Sequence, residues 1–308
     1  MEKPKQHIPK ELRYTVEQFH AEFPTSDSCL EFIKEQRWPD GRTYCEKCET
    51  EHKHYRVTGR TAYACDHCGN HIYPLAGTIF EKSTTSLLTW FHAMYLMANT
   101  RCGISAKQIQ RETGVTYKTA WRMFKQIRTL FSEDIILGGA DGCEMDETYM
   151  GGRRRNGRRG RPPAGDKKQT CVVGIVERKG RVIAVVANDA TRKTLHGIAE
   201  ERILPETTVF TDELASYSGL ETLGGGYQHK RINHSAGVYV MGDIHTQTID
   251  GFWSLVKRGI GGVYHAVSQK YLQAYLDEYS FRYNRRDSRV PMFNLMLSRV
   301  SEVATNKF

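Results

Sequence analysis

Two Cys-x-x-Cys pairs and three aspartates in dissimilar local patterns are the candidate ligands and reactive groups of this sequence. Cys45 and Cys48 are separated from Cys65 and Cys68 by sixteen residues. Each pair sets two thiolates on one tight turn, and the spacing suits a tetrahedral four-sulfur site for a structural Zn2+ built from two knuckles. His67 and His71 are competing ligands that four cysteines make unnecessary. A redox reading fits poorly because two matched pairs are present. Lys47, His52, Lys53, His54, Arg56 and Arg60 surround the pairs, so this surface is also a candidate for touching DNA.

The aspartates are Asp146, Asp212 and Asp250. Around the first, in Gly142-Cys-Glu-Met-Asp-Glu-Thr-Tyr149, the alternation of a strand puts Glu144 and Asp146 on one face and Glu147 on the other. Asp212 ends a short apolar strand over 208–211. Asp250 precedes Lys257 by seven residues in a helical pattern, which places both on one face two turns apart. Converging carboxylates would offer oxygen ligands to hard cations such as Mg2+ or Mn2+. Two such ions roughly 3.5–4 Å apart can activate an attacking hydroxyl and stabilise a leaving oxygen of a phosphodiester. The competing reading of each acid is a solvated surface group. Glu147 and Glu213 read as neighbours of the site, and His245 as a DNA contact or a helix cap.

These residues need elements to position them. Apolar spacing predicts short helices over 14–38, hairpins around the metal over 44–74, and helices over 85–98, 105–113 and 116–130. The period then changes: strands over 142–149, 170–177 and 182–186, a helix over 195–202, a strand over 208–211, and helices over 248–257 and 270–283. The fold class expected is multidomain α+β, its last part a mixed α/β domain. In 104–127, Ala106 and Ile109 face inward on one helix, Gly114 makes the turn, and Val115, Ala120, Trp121 and Phe124 line the inner side of the next. Tyr117, Lys118, Thr119 and Arg122 then point outward, as on the recognition helix of a helix-turn-helix. A plain helical hairpin with a solvated basic face is the alternative. Aromatic residues such as Trp253, Tyr264, Tyr271, Tyr275, Tyr279, Phe281 and Tyr283 have the helical spacing of core packing rather than of base stacking.

Residues 151–168 carry eight basic groups, one acid, five glycines and no large apolar side chain. Such a stretch buries no core and reads as a flexible loop emerging beside Asp146, with Arg153, Arg154, Arg155, Arg158 and Arg159 as DNA contacts or as solvated charges. The net charge of +9 and pI near 9.1 favour a polyanionic partner, nucleic acid ahead of an acidic membrane. No run approaches the ~20 apolar residues of a membrane-spanning helix, and Met1–His7 lacks the apolar stretch of a signal peptide, so a soluble cytoplasmic protein is expected. In a reducing compartment Cys29, Cys102, Cys143 and Cys171, within segments that read as helix or strand, are expected to be buried thiols.

The segments Met145-Asp-Glu-Thr-Tyr-Met-Gly-Gly152, Thr211-Asp-Glu-Leu-Ala-Ser-Tyr217 and 245–286 resemble the IS1595/ISXO2-like family of bacterial insertion-sequence transposases, and the resemblance covers about residues 19–297. It implies a zinc ribbon, a helix-turn-helix and an RNase H-like catalytic domain in that order, here over 14–80, 81–135 and 136–300. Asp146, Asp212 and Asp250 would then be the DDE triad holding two Mg2+ or Mn2+ ions, with Lys257 the basic residue after it and Arg258 a DNA contact. Gln247 and Asp250 stand where Asn, and Glu or Asn, are expected; Asp keeps the carboxylate but is one methylene shorter than Glu. The implied activity is metal-dependent cleavage of terminal inverted repeats and strand transfer to target DNA, by at least a dimer on DNA in a bacterial cytoplasm, associated with the nucleoid. The alternative is a zinc-containing DNA-binding regulator or an inactive relic; a nuclease without strand transfer would share the same triad.

Overall fold

The computed structural model describes residues 13–100, 102–151, 169–232 and 247–302. The chain divides into two units: Phe131–Asp287 forms one, and the chain on either side of it forms the other.

In the flanking unit, helices α1 (Val16–Glu22) and α2 (Ser26–Arg37) each open on a capping box, Thr15 with Gln18 and Thr25 with Ser28. Such boxes satisfy N–H groups that the helix itself leaves orphaned. A four-stranded antiparallel sheet follows, with strands β1 (Arg42–Cys45), β2 (Thr50–Arg56), β3 (Tyr63–Cys65) and β4 (His71–Ile72) in that spatial order. Helix α3 (Leu87–Asn99) buries Trp90, Phe91, Ala93, Met94 and Met97, the pattern of a central helix. Helix α4 (Ala106–Thr113) ends on Gly114 at φ 70°, a left-handed conformation that a β-carbon would strain. The Thr116 hydroxyl then accepts the Thr119 N–H and starts α5 (Tyr117–Thr129). Ala106, Ile109, Ala120 and Phe124 are buried as the helical period predicts, while Val115 and Trp121 are only partly so. One expectation fails here: Cys102 is exposed, because it falls in the turn between α3 and α4 and not inside an element, whereas Cys29, Cys143 and Cys171 are buried.

The other unit is built on a mixed sheet of β5 (Cys143–Gly151), β6 (Gln169–Glu177), β7 (Val182–Ala187), β8 (Thr208–Thr211) and β9 (Gln228–Arg231) in the order β7-β6-β5-β8-β9. The first three strands pair antiparallel; β8 adds parallel to β5, and β9 parallel to β8. A parallel step requires a crossover, which α6 (Arg192–Arg202) supplies between β7 and β8. Strand β6, flanked by β7 and the central β5, is buried on both faces. On one face Leu195 and Ala199 of α6 pack with Met145, Val173, Ile175 and Val209. On the other, Ile249, Phe252 and Trp253 of α7 (Gln247–Gly259) and Leu276 of α8 (Gln269–Asn284) pack with Val172, Val176 and Ala184. Trp253, Tyr275, Tyr279 and Phe281 are buried, in keeping with a packing role.

Strand β7 is a sheet edge, and α8 satisfies it with side-chain amides. Gln273 accepts the Val186 N–H at 2.8 Å and donates to the Ala184 carbonyl at 2.9 Å; Asn284 accepts the Val182 N–H at 2.7 Å and donates to the Val182 carbonyl at 3.0 Å. After this unit the chain returns to the first, where α9 (Met292–Ser298) sets Phe293 against Phe19, Phe23 and Phe91. Among the described residues no helix is long and apolar enough to cross a membrane.

Candidate functional site

The four cysteines come together on the β1–β4 sheet. The register pairs Cys45 with Thr50 and His54 with Cys65, so the two turns carrying the pairs meet at one end of the ribbon. All four sulfurs lie within 4.8 Å of one another. Cys45 Sγ is 3.5 Å from Cys68 Sγ, and Cys48 Sγ is 3.9 Å from Cys65 Sγ. Zinc–sulfur bonds of about 2.3 Å in tetrahedral geometry require sulfurs roughly 3.8 Å apart, so the donor set fits Zn2+ in both chemistry and span. His52 and Asp66 pair at 2.9 Å beside Cys65, which makes His52 a neighbour of the cluster; His67 stacks on the His52 ring.

The aspartates belong to the second unit. Asp146 sits in the middle of β5, directly across the ladder from Gly174 of β6, on the face covered by α7. The absence of a side chain at Gly174 has a purpose: a β-carbon there would lie 2.5 Å from Cζ2 of Trp253. The indole therefore rests on bare backbone and donates from Nε1 to Asp146 Oδ2 at 2.8 Å. Asp250 lies in the first turn of α7 and Lys257 in its last turn. A cleft of about 590 Å³ is lined by Asp146, Glu147, Asp250, Trp253, Lys257 and Arg258, among others. Arg258 is exposed and donates to the Ser254 carbonyl.

Asp212 follows β8, and its carboxylate accepts the Leu214 N–H at 3.0 Å, closing a tight turn on itself. It does not line the cleft, and the three aspartates are not drawn together as tightly as the thiols. Among the described residues, the groupings of possible ligands within 4.8 Å are the four cysteines and His52 with Cys65 and Asp66. The aspartates nevertheless feel one another. Burial, then the charges of Glu147, Asp212 and Asp250, push the Asp146 carboxyl up to about 7, against the opposing hydrogen bond from Trp253. Repulsion of this kind is what a divalent cation would relieve, and an all-oxygen donor set suits Mg2+ or Mn2+. Glu147 accepts the hydroxyl of the fully buried Tyr217 at 2.9 Å.

Two further positions bear on the site and escaped sequence reasoning. Glu144 is wholly buried and bonded to Thr248, Ile249 and Arg178. Gly174 is legible only as a glycine inside a strand pattern, a mark of close approach without an indication of what approaches.

In the flanking unit Tyr117, Lys118 and Arg122 of α5 are exposed and Thr119 is half-buried; Arg122 donates to the Glu81 carbonyl at 3.3 Å, and Lys107 lies over the Tyr117 ring. Arg153, Arg154, Arg155, Arg158, Arg159 and His245 lie outside the described residues.

Residues 136–284 match the ISXO2-like transposase domain, and residues 24–71 match the transposase zinc-ribbon domain. A protein of transposable element ISH50 from Halobacterium salinarum is 28% identical over 277 residues, 84% of this chain and 91% of the relative. A transposase-like protein of Haemophilus influenzae is 28% identical over 109 residues, 35% of this chain and 85% of the relative.

Proposed function

The chain belongs to the ISXO2-like transposase family, and on that premise we propose that it binds the terminal inverted repeats of its insertion sequence, cleaves DNA at their ends and joins the freed 3′-hydroxyls to target DNA. The observation that carries this reading is the cleft that Asp146 and Asp250 share with Lys257, close enough to Asp212 for its charge to help raise the Asp146 carboxyl. The strand order β7-β6-β5-β8-β9, with three antiparallel strands followed by two parallel ones, supports an RNase H-like architecture.

When bound, two Mg2+ or Mn2+ ions supply activation of the attacking oxygen and stabilisation of the leaving one. Asp146, Asp212 and Asp250 would hold them. Trp253 fixes one oxygen of Asp146, leaving the other free to ligate. Lys257 and Arg258 present positive charge along the same cleft, where a phosphodiester's oxygens would lie. In the flanking unit Zn2+ on Cys45, Cys48, Cys65 and Cys68 holds the ribbon. The α4–Gly114–α5 segment acts as a helix-turn-helix, with Tyr117, Lys118, Thr119 and Arg122 toward DNA. The arginines of 151–168 add phosphate contacts. Because two element ends must be processed together, the working form holds at least two copies of the chain, on DNA in the cytoplasm.

The test is cleavage and joining of a labelled DNA end in Mg2+ or Mn2+ by wild type and by Asp146→Ala, Asp212→Ala and Asp250→Ala. Metal-dependent cutting and joining, lost in all three variants, is the expected result. Binding without cutting by the wild type would move the assignment to a zinc-containing regulator or an inactive relic. Cutting without joined products would leave a nuclease.

A further inference from the structure

Glu144 has no part in the chemistry above, yet it is 0% exposed, and a carboxylate occupies such a place at high cost unless its charge is matched. Its partners come from separate stretches of chain. Oε2 accepts the backbone N–H groups of Thr248 at 2.9 Å and Ile249 at 3.0 Å; Oε1 accepts the Thr248 hydroxyl at 3.0 Å and Arg178 Nε–H at 3.2 Å. The Arg178 guanidinium lies over the Phe210 ring, 3.6 Å from its centroid.

Apart from Arg178, each residue of this cluster falls one or two positions before one of the aspartates. Glu144 precedes Asp146 by two on the same face of β5. Phe210 precedes Asp212 by two, and it stands beside Glu144 in the β5–β8 ladder. Thr248 and Ile249 come just before Asp250. The carboxylate also satisfies N–H groups that α7 cannot satisfy within itself, at the end of the helix where negative charge is favoured. With both oxygens engaged and no exposure to the cleft, Glu144 is not placed to ligate a metal.

We propose that the buried Glu144–Arg178 pair is the positioning device that gathers the three aspartate-bearing segments into one metal-binding arrangement. The pair rests on the assignment of those aspartates as metal ligands in the reading above. Three carboxylates repel one another; apolar packing seats the body of α7 on the sheet, and a tether at its start holds the turn that carries Asp250 toward the cleft of Asp146. Glu144 provides that tether, and Arg178 carries it across to β8 through Phe210. The ion pair thus acts on the metal only through the aspartates.

The test measures Mn2+ binding by the paramagnetic resonance of free Mn2+, alongside melting temperature, zinc content and affinity for the element-end DNA. Glu144→Gln should raise the Mn2+ midpoint about tenfold or more, as loss of outer-shell partners does. Zinc content and DNA-end affinity should stay at wild-type values. Arg178→Lys, which keeps the positive charge, should give a smaller rise. A lowered melting temperature with an unchanged Mn2+ midpoint in both variants would mean a purely structural pair and would overturn the inference. Asp146→Asn and Asp250→Asn separate the two levels of the argument. If they bind Mn2+ as the wild type does, the triad assignment falls and this inference with it. If they lose Mn2+ while Glu144→Gln and Arg178→Lys keep the wild-type midpoint, only the inference falls. Should Glu144→Gln fail to melt cooperatively, Thr248→Val removes one donor to Glu144 and carries the same comparison: a raised midpoint supports the inference and an unchanged one overturns it.

Discussion

Beneath Asp146 the indole of Trp253 lies against Gly174, so three residues from three elements form one unit. Gly174→Ala drives a methyl group into the ring and should cost roughly 1–3 kcal/mol of stability as overpacking. Calorimetric melting would read that loss, and end cleavage should fall with it. Trp253→Phe keeps most of the packing and removes the N–H; it should lower cleavage about 10- to 100-fold while the melting temperature changes less. Equal losses in melting temperature and cleavage would instead make the indole a packing group only. Asp277 on α8 is a different case. Burial pushes its carboxyl up to about 6, with the Glu133 charge adding and the Gln273 hydrogen bond opposing. A carboxyl whose folded pKa exceeds its unfolded one holds its proton more tightly when folded, so this group costs stability as pH rises from about 4 to 6 and the cost persists above. Asp277→Asn should therefore stabilise the protein at neutral pH, by at most about 3 kcal/mol, and the gain should vanish below about pH 4. Denaturant unfolding of both forms across that range would show it.

At the level of elements, the sheet edge invites attention because β7 would otherwise present open N–H and carbonyl groups to solvent or to another chain. Gln273 and Asn284 close those groups from α8. Gln273→Leu should leave two backbone groups without their partner and cost roughly 1–3 kcal/mol, with concentration-dependent aggregation on warming. Light scattering during a thermal ramp would detect it, and Gln273→Glu, which keeps the acceptor for Val186, should aggregate less. The periodicities from 142 to 283 predict these strands and helices to within a few residues, except β9, which no expected strand covers. They say nothing of which amide meets which strand, since Gln273 and Val186 are 87 positions apart.

For the molecule as a whole, two units with separate cores follow from where the apolar side chains gather: Phe19, Phe23, Phe91 and Phe293 in one, the two faces of the mixed sheet in the other. The ribbon depends on four thiols that repel as thiolates without a cation between them. Chelating zinc, or the change Cys45→Ser, should therefore shift a thermal transition of the flanking unit downward and leave that of the sheet unit in place. A scan in which both transitions move together would contradict the division. Cys45→Ser should also abolish binding to the element end, read by mobility shift, and leave the Mn2+ midpoint of the sheet unit at its wild-type value.

By itself the sequence determined what is local: the thiol spacing of the ribbon, the alternation that sends Glu144 and Asp146 to one face, the seven-residue step from Asp250 to Lys257, and the glycine turn between α4 and α5. Each is a relation within a few residues, where backbone geometry alone dictates direction. Tertiary structure decided the rest. Glu144 reads locally as one more acid in a strand, and only folding brings to it the start of a helix 104 positions later. Gly174 reads as a weak point in a strand until Trp253 arrives to lie on it. Cys102 joins no core because the chain turns there. The aspartates themselves are legible as carboxylates, but their mutual field arises from the sheet order and the seating of α7, a matter of distances through space that no pattern along the chain encodes.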